Sequence, residues 1–131
     1  MAFTGVAVDT PVFLTCYADQ ELGYSKAAQG TVTQATSKPT GVTSNFSNVH
    51  VTMNNASLAA GAIASFTLNN SLISARDTLM VNVSGGNATA GTYTAFVSTI
   101  AAGSAVISLY NVSAGPLSEA VKLNIAIIHA L

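Results

Sequence analysis

Val121-Lys122-Leu123-Asn124-Ile125-Ala126-Ile127 is the stretch on which the fold class turns. It lies in the one region with a credible case for a helix, because Pro116 opens residues 116–131 and Glu119 and Ala120 follow it. The side chains nevertheless repeat every second residue. Val121, Leu123, Ile125 and Ile127 fall on one side, and Lys122, Asn124 and Ala126 on the other. Successive side chains of a strand point to opposite faces, and β-branched residues suit a pleat, so the stretch reads as a strand. A single helical turn over residues 117–120 is compatible with that reading.

The same period recurs upstream. Val49, Val51 and Met53 alternate with His50 and Thr52; Ala62, Ala64, Phe66 and Leu68 share a face; Leu79, Val81 and Val83 oppose Thr78, Met80 and Asn82. Residues 92–100 and 105–112 continue the series, with Phe96 and Ile100 expected on one face and Tyr93 and Val97 on the other. Gly, Asn and Ser separate the runs, and Ser84-Gly85-Gly86-Asn87 reads as a hairpin turn. About seven to eight short strands with such turns predict an all-β domain, an antiparallel β-sandwich or jelly roll, over residues 30–131. An echo at a spacing of 42 residues, Ala59-Ala60-Gly61 against Ala101-Ala102-Gly103, reads as two similar turns in which glycine takes positive φ.

Residues 1–29 differ in character. Asp9, Thr10 and Pro11 precede the apolar run Val12-Phe13-Leu14-Thr15-Cys16-Tyr17, and Asp19, Glu21 and Lys26 follow it. This segment is either an edge strand or a projecting arm. As an arm carrying Phe3, Val12, Phe13, Leu14 and Tyr17, it hides apolar surface against its own domain or a neighbour, and these five residues are the candidate partner-binding set.

Composition narrows the function. Half of the 131 residues are apolar and only 7% are charged, against about 25% in an ordinary globular domain. Four bases and five acids lie scattered along the chain. Enzymes place carboxylates, histidines or lysines at the reacting atom, and this chain has few to place, so no catalysis is expected. Net charge is −1 without a basic cluster, which argues against a nucleic-acid partner. Apolar stretches are too short and interrupted to predict a membrane partner, and no leader is read at Met1-Ala2-Phe3-Thr4. Cys16 is the single cysteine, so no intrachain disulfide is available, and a reducing compartment is expected.

Tests for chemistry return structural answers. His50 and His129 lack the spacing of zinc ligands, no metal or other cofactor is expected, and Cys16 reads as a buried small hydrophobe. Arg76-Asp77 is the one adjacent opposite pair. Neighbours in a strand point apart, so it is placed in a turn, with Asp77 accepting from backbone N–H groups or Arg76 reaching a neighbouring chain. Asn45, Asn55, Asn69, Asn82, Asn87 and Asn111 begin N-x-S/T triplets, which a chain so rich in Asn, Ser and Thr generates by chance.

From residue 30 to residue 124 the order of segments resembles a domain of structural proteins in tailed bacteriophages and prophages, found in head decoration proteins and in head or tail fibres. Carrying the resemblance are Gly30-Thr31-Val32-Thr33-Gln34 with Ser37-Lys38, Thr40-Gly41-Val42-Thr43, and Leu58-Ala59-Ala60-Gly61 with residues 65–71. Asp77, Val81-Asn82, Gly91-Thr92-Tyr93, residues 101–104, Asn111-Val112, residues 117–120 and Leu123-Asn124 complete it. The resemblance implies a compact β domain assembled as a homotrimer, with a virion-structural role and no catalysis. Residues 1–29 fall outside it, and no fibre shaft or collagen-like repeat is present. The expectation is therefore a capsid decoration (cement) protein, made in the host bacterial cytoplasm and bound to the major capsid protein on the virion surface. The rival expectation is a glycan-binding fibre domain, in which Tyr93, Phe96 and Tyr110 stack on sugar rings.

Overall fold

The computed structural model describes residues 17–130. Eight strands follow a 3-10 turn at Lys26–Ala28: β1 (Gln29–Thr33), β2 (Val42–Thr43), β3 (Asn48–Thr52), β4 (Ile63–Asn69), β5 (Thr78–Gly85), β6 (Tyr93–Ala101), β7 (Ser104–Asn111) and β8 (Lys122–Ile128). They form two four-stranded sheets, ordered β1-β3-β8-β5 and β2-β4-β7-β6. The expected β-sandwich of about eight strands is the observed fold.

Alternation explains the core. Val49 and Val51 of β3 face inward beside Leu123 and Ile125 of β8, register partners of Val51 and Val49. Ala64, Phe66 and Leu68 of β4 meet Leu109, Ile107 and Ala105 of β7 in the second sheet. Val121, Leu123 and Ile125 are fully buried, so the stretch that suggested a helix supplies the centre of the first sheet. β8 pairs with β3 on one side and β5 on the other. Burial of these side chains, each worth about 1.5–3 kcal/mol relative to exposure, drives the two sheets together.

The path is more wound than a series of hairpins. The chain changes sheet at every connection between strands except β6–β7. Consequently β3 lies parallel to β1 and β4 parallel to β2, one full coil around the core, and the sandwich is antiparallel everywhere but at those two edges. Two expectations need correction. Ser84-Gly85-Gly86-Asn87 is not a hairpin turn, because β5 and β6 belong to different sheets. Gly86, at φ +82°, instead passes so close to the Ala120 carbonyl that a Cβ there would overlap it. Ile100 does not share a face with Phe96: a bulge between Val97 and Thr99 flips the phase of β6, and Ile100 packs on the core with Val97.

Other readings hold. Gly61 and Gly103, the glycines of the 42-residue echo, both take positive φ, at +69° and +80°. Leu117 makes an antiparallel bridge to Leu58 where a helical turn was allowed. Residues 17–25 contain no strand, and β1 starts one residue before the expected boundary.

Candidate interaction surface

The sheets are almost free of charge. Among residues of the eight strands, Lys122 is the single Lys, Arg, Asp or Glu. The outer faces are built from Ser, Thr and Asn interleaved with large apolar side chains. On the first sheet Met80 and Ile128 are 61% and 52% exposed, and Ala126 lies directly opposite Met80 in the register. On the second, Ile63 is 55% exposed and lies opposite Tyr110, with Phe96 on the same face. Hydroxyls fill the middle of that face, where Ser108 Oγ lies 2.7 Å from Ser65 Oγ and 2.5 Å from Ser98 Oγ.

The segment entering β1 crosses the first sheet's apolar end. Ile127 donates its N–H to the Ser47 carbonyl, so its own carbonyl points the same way, past the start of β3. Tyr24 fills the gap in the ladder by donating its hydroxyl to that carbonyl at 2.6 Å. Leu22, Gly23 and Tyr24 then form an open groove of about 510 Å³ with Met80, Ala126 and Ile128. Of the candidate binding residues, Phe3, Val12, Phe13 and Leu14 lie outside the described residues, as does Cys16. Tyr17 is described and is 84% exposed. The structure adds Leu22 and Tyr24 to the apolar set; their separation from the run by Asp19 and Glu21 masked them in the sequence.

Of the four charges in the loops between strands, Lys38, Asp77 and Glu119 serve the fold. Lys38 is almost fully buried and donates from Nζ to the carbonyls of Asn54 (2.5 Å) and Glu119 (2.7 Å). Burial holds the Lys38 ammonium below its usual pKa, and the negative charge of Glu119 opposes that shift. Gln34 closes the same loop, donating to the carbonyls of Lys38 and Thr40 while accepting from the Asn54 N–H. The Glu119 carboxylate accepts from the Ala88 N–H and from the Tyr93 hydroxyl. Burial, reinforced by Glu119, pushes the Tyr93 phenol up to about 12.

A second polar cluster ties down the end of β8. Asp77 accepts from the Ser74 N–H at 2.9 Å, from the Ala130 N–H at 3.0 Å and from His129 Nδ1 at 2.8 Å. The Ser74 N–H, then that of Ala130, hold its carboxyl below the usual carboxylate range, and His129 adds to the effect. Asp77 is thus a turn residue saturated by backbone donors, as its place beside Arg76 predicts. Among the described residues no hydroxyl or thiol bonds to His129. His50 also has a structural contact, Nδ1 lying 2.6 Å from Asn124 Oδ1 across the β3–β8 pair. Among the described residues no three His, Cys, Asp or Glu side chains gather as a metal site.

Tyr93 faces the core and offers no ring to a sugar, whereas Phe96 and the partly exposed Tyr110 sit on the outer face. The residues named in the resemblance include the polar fasteners just described: Gln34, Lys38, Asp77 and Glu119, with Asn70 and Asn111. The last two are buried, and each accepts a backbone N–H two residues ahead while donating to distant carbonyls. Comparison with protein-family models, curated proteins and solved structures returned no match.

Proposed function

We propose that this chain is a capsid decoration (cement) protein of a tailed bacteriophage or prophage, a homotrimer that coats the outer surface of the head and binds the major capsid protein where capsomers meet. The observation that carries this reading is the distribution of charge. Eight strands display a single lysine, while Lys38, Asp77 and Glu119 are engaged in fastening loops. Neutral hydroxyl, amide and apolar groups can be buried against another protein with little desolvation cost, whereas charges cannot. Such a surface suits permanent burial between coat subunits.

The mechanism is mass action. A ligand that binds the assembled shell and not its separated subunits stabilises the shell by its binding free energy, and many small copies sum. Cryo-electron microscopy of heads produced from the same genome tests it. The expected result is density outside the major shell at capsomer junctions, missing when the gene is deleted, with deleted heads releasing DNA at lower temperature. Heads that are identical with and without the gene would exclude the role. Glycan binding by the pure protein without attachment to heads would transfer the assignment to a fibre domain.

A further inference from the structure

The two sheets end differently on their two sides. On one side the edge strands are short, β1 with five residues and β2 with two. On the other they are long, β5 with eight residues and β6 with nine. Among the described residues no strand pairs with the outer edge of either long strand. An open edge presents a row of backbone donors and acceptors that attracts other chains, and proteins normally blunt it with lysine, proline or covering loops. Neither β5 nor β6 contains a charged residue or a proline, and the bulge that each carries, near Ser84 and at Ser98, is the one blunting device among the described residues. Between them lies a seam of about 370 Å³, lined by Thr78, Leu79, Val97, Ser98, Thr99 and Ile100, with the saturated Asp77 at one end.

We infer that the edge of β6 receives residues 12–17 of a second copy of this chain as an added strand, whose inner side chains cover the seam. The occupant is argued from the molecule itself. Val12-Phe13-Leu14-Thr15-Cys16-Tyr17 has the composition of a strand, lacks charge and proline, and splits at period 2 into a small aliphatic set (Val12, Leu14, Cys16) and a larger set (Phe13, Thr15, Tyr17). The first matches the Leu79, Val97 and Ile100 seam; the second extends the outer face that carries Phe96 and Tyr110. Six residues at about 3.3 Å each fit within the nine-residue edge. Delivery to a neighbour is argued from the approach: residues 17–21 are exposed, Tyr17 is 84% exposed rather than seated on its own sheet edge, and Asp19, Gln20 and Glu21 make a polar spacer before Leu22–Tyr24 meet the first sheet. In a closed ring each copy gives one strand and takes one, which leaves no β6 edge open. This deepens the homotrimer reading and rests on it for self-association alone.

Cys16, the single cysteine, makes the test direct. Val97→Cys and Thr99→Cys place a second thiol on the inner and outer face of β6, and Thr33→Cys places one on β1, the opposite edge. Under mild oxidation of the full chain, at least one β6 variant is expected to give disulfide-linked species of two or more chains. Thr33→Cys is expected to stay uncrosslinked, as is each β6 variant combined with Cys16→Ser. Cross-links that persist with Cys16→Ser mean that β6 edges pair with each other and overturn the inference. Closure within one chain, equal linkage at Thr33→Cys, or no linkage in a protein that still sediments as a trimer overturns it as well. The last outcome leaves the assembly and coat reading in place.

Discussion

Lys38 shows how this chain uses the few charges it has. Its ammonium is enclosed between the Asn54 and Glu119 carbonyls, so Lys38→Met keeps the volume and orphans two acceptors. A buried polar group left unpaired costs about 1–3 kcal/mol, and a loss of that order is expected in chemical denaturation. Tyr93 sits on the same network, and its titration can be seen directly. Of the four tyrosines, one should ionise late, near pH 12, by ultraviolet absorbance, and the Tyr93→Phe variant should lose that step. Because the folded phenol lies above its ordinary value, the stabilisation it brings is present below pH 10 and fades as pH climbs through about 12. Asp77 works at the opposite end of the scale. Its depressed carboxyl contributes stability above the ordinary carboxylate pKa that is lost as pH falls through the lower folded value. Melting temperature should therefore drop below about pH 4, and Asp77→Asn should flatten that drop.

At the level of elements, Gly86 separates two kinds of turn. Gly86→Ala combines a left-handed backbone, which costs about 1–2 kcal/mol for a residue with a Cβ, with overlap against Ala120. Gly61→Ala carries the first penalty but meets nothing within 4 Å. Denaturation midpoints should fall further for Gly86→Ala, and equal effects would show that the crossover from β5 to β6 yields easily. That crossover also marks the boundary of what was legible in the sequence. Strand faces were, because alternation is local: Val49 and Val51, Phe66 and Leu68, and Leu123 and Ile125 could be assigned inward without knowing any partner. Partners were not, because no local pattern says that β1 runs beside β3 or that Gly86 approaches Ala120. The bulge at Ser98 was hidden for the same reason, and with it the true face of Ile100. The turn at Asp77 was readable from its neighbour Arg76, whereas Lys38 and Glu119 meet across a gap of 81 positions that no spacing rule connects. Of the surface, the apolar run was visible in the sequence and the groove at Tyr24 was not, since Met80 and Ile128 join it from two different strands.

For the whole molecule, solubility has to come from something other than surface charge. With so little charge on the sheets, the outer apolar residues are best hidden by self-association, which removes apolar area from water at roughly 25 cal/mol per Å² before association costs. Light scattering at micromolar concentration should report about three times the 13.2 kDa chain mass. Deleting residues 1–17 should leave the sandwich folded, with an unchanged far-ultraviolet β signature, and weaken assembly and attachment to heads. Failure of the truncated chain to fold would make that segment a core strand instead.

The central position of β8 has a further consequence, for synthesis in the cell. Residues 122–128 are made after the other seven strands of the sandwich, yet both β3 and β5 need them as a partner. Until they leave the ribosome, the first sheet is two separated halves, and Val49, Val51 and Leu79 lack Ile125, Leu123 and Ile127 beside them. The first sheet therefore cannot be completed, and its inner faces stay open to chaperones and proteases, until β8 is free. A premature stop within β8 would therefore yield not a smaller sandwich but a substrate for degradation.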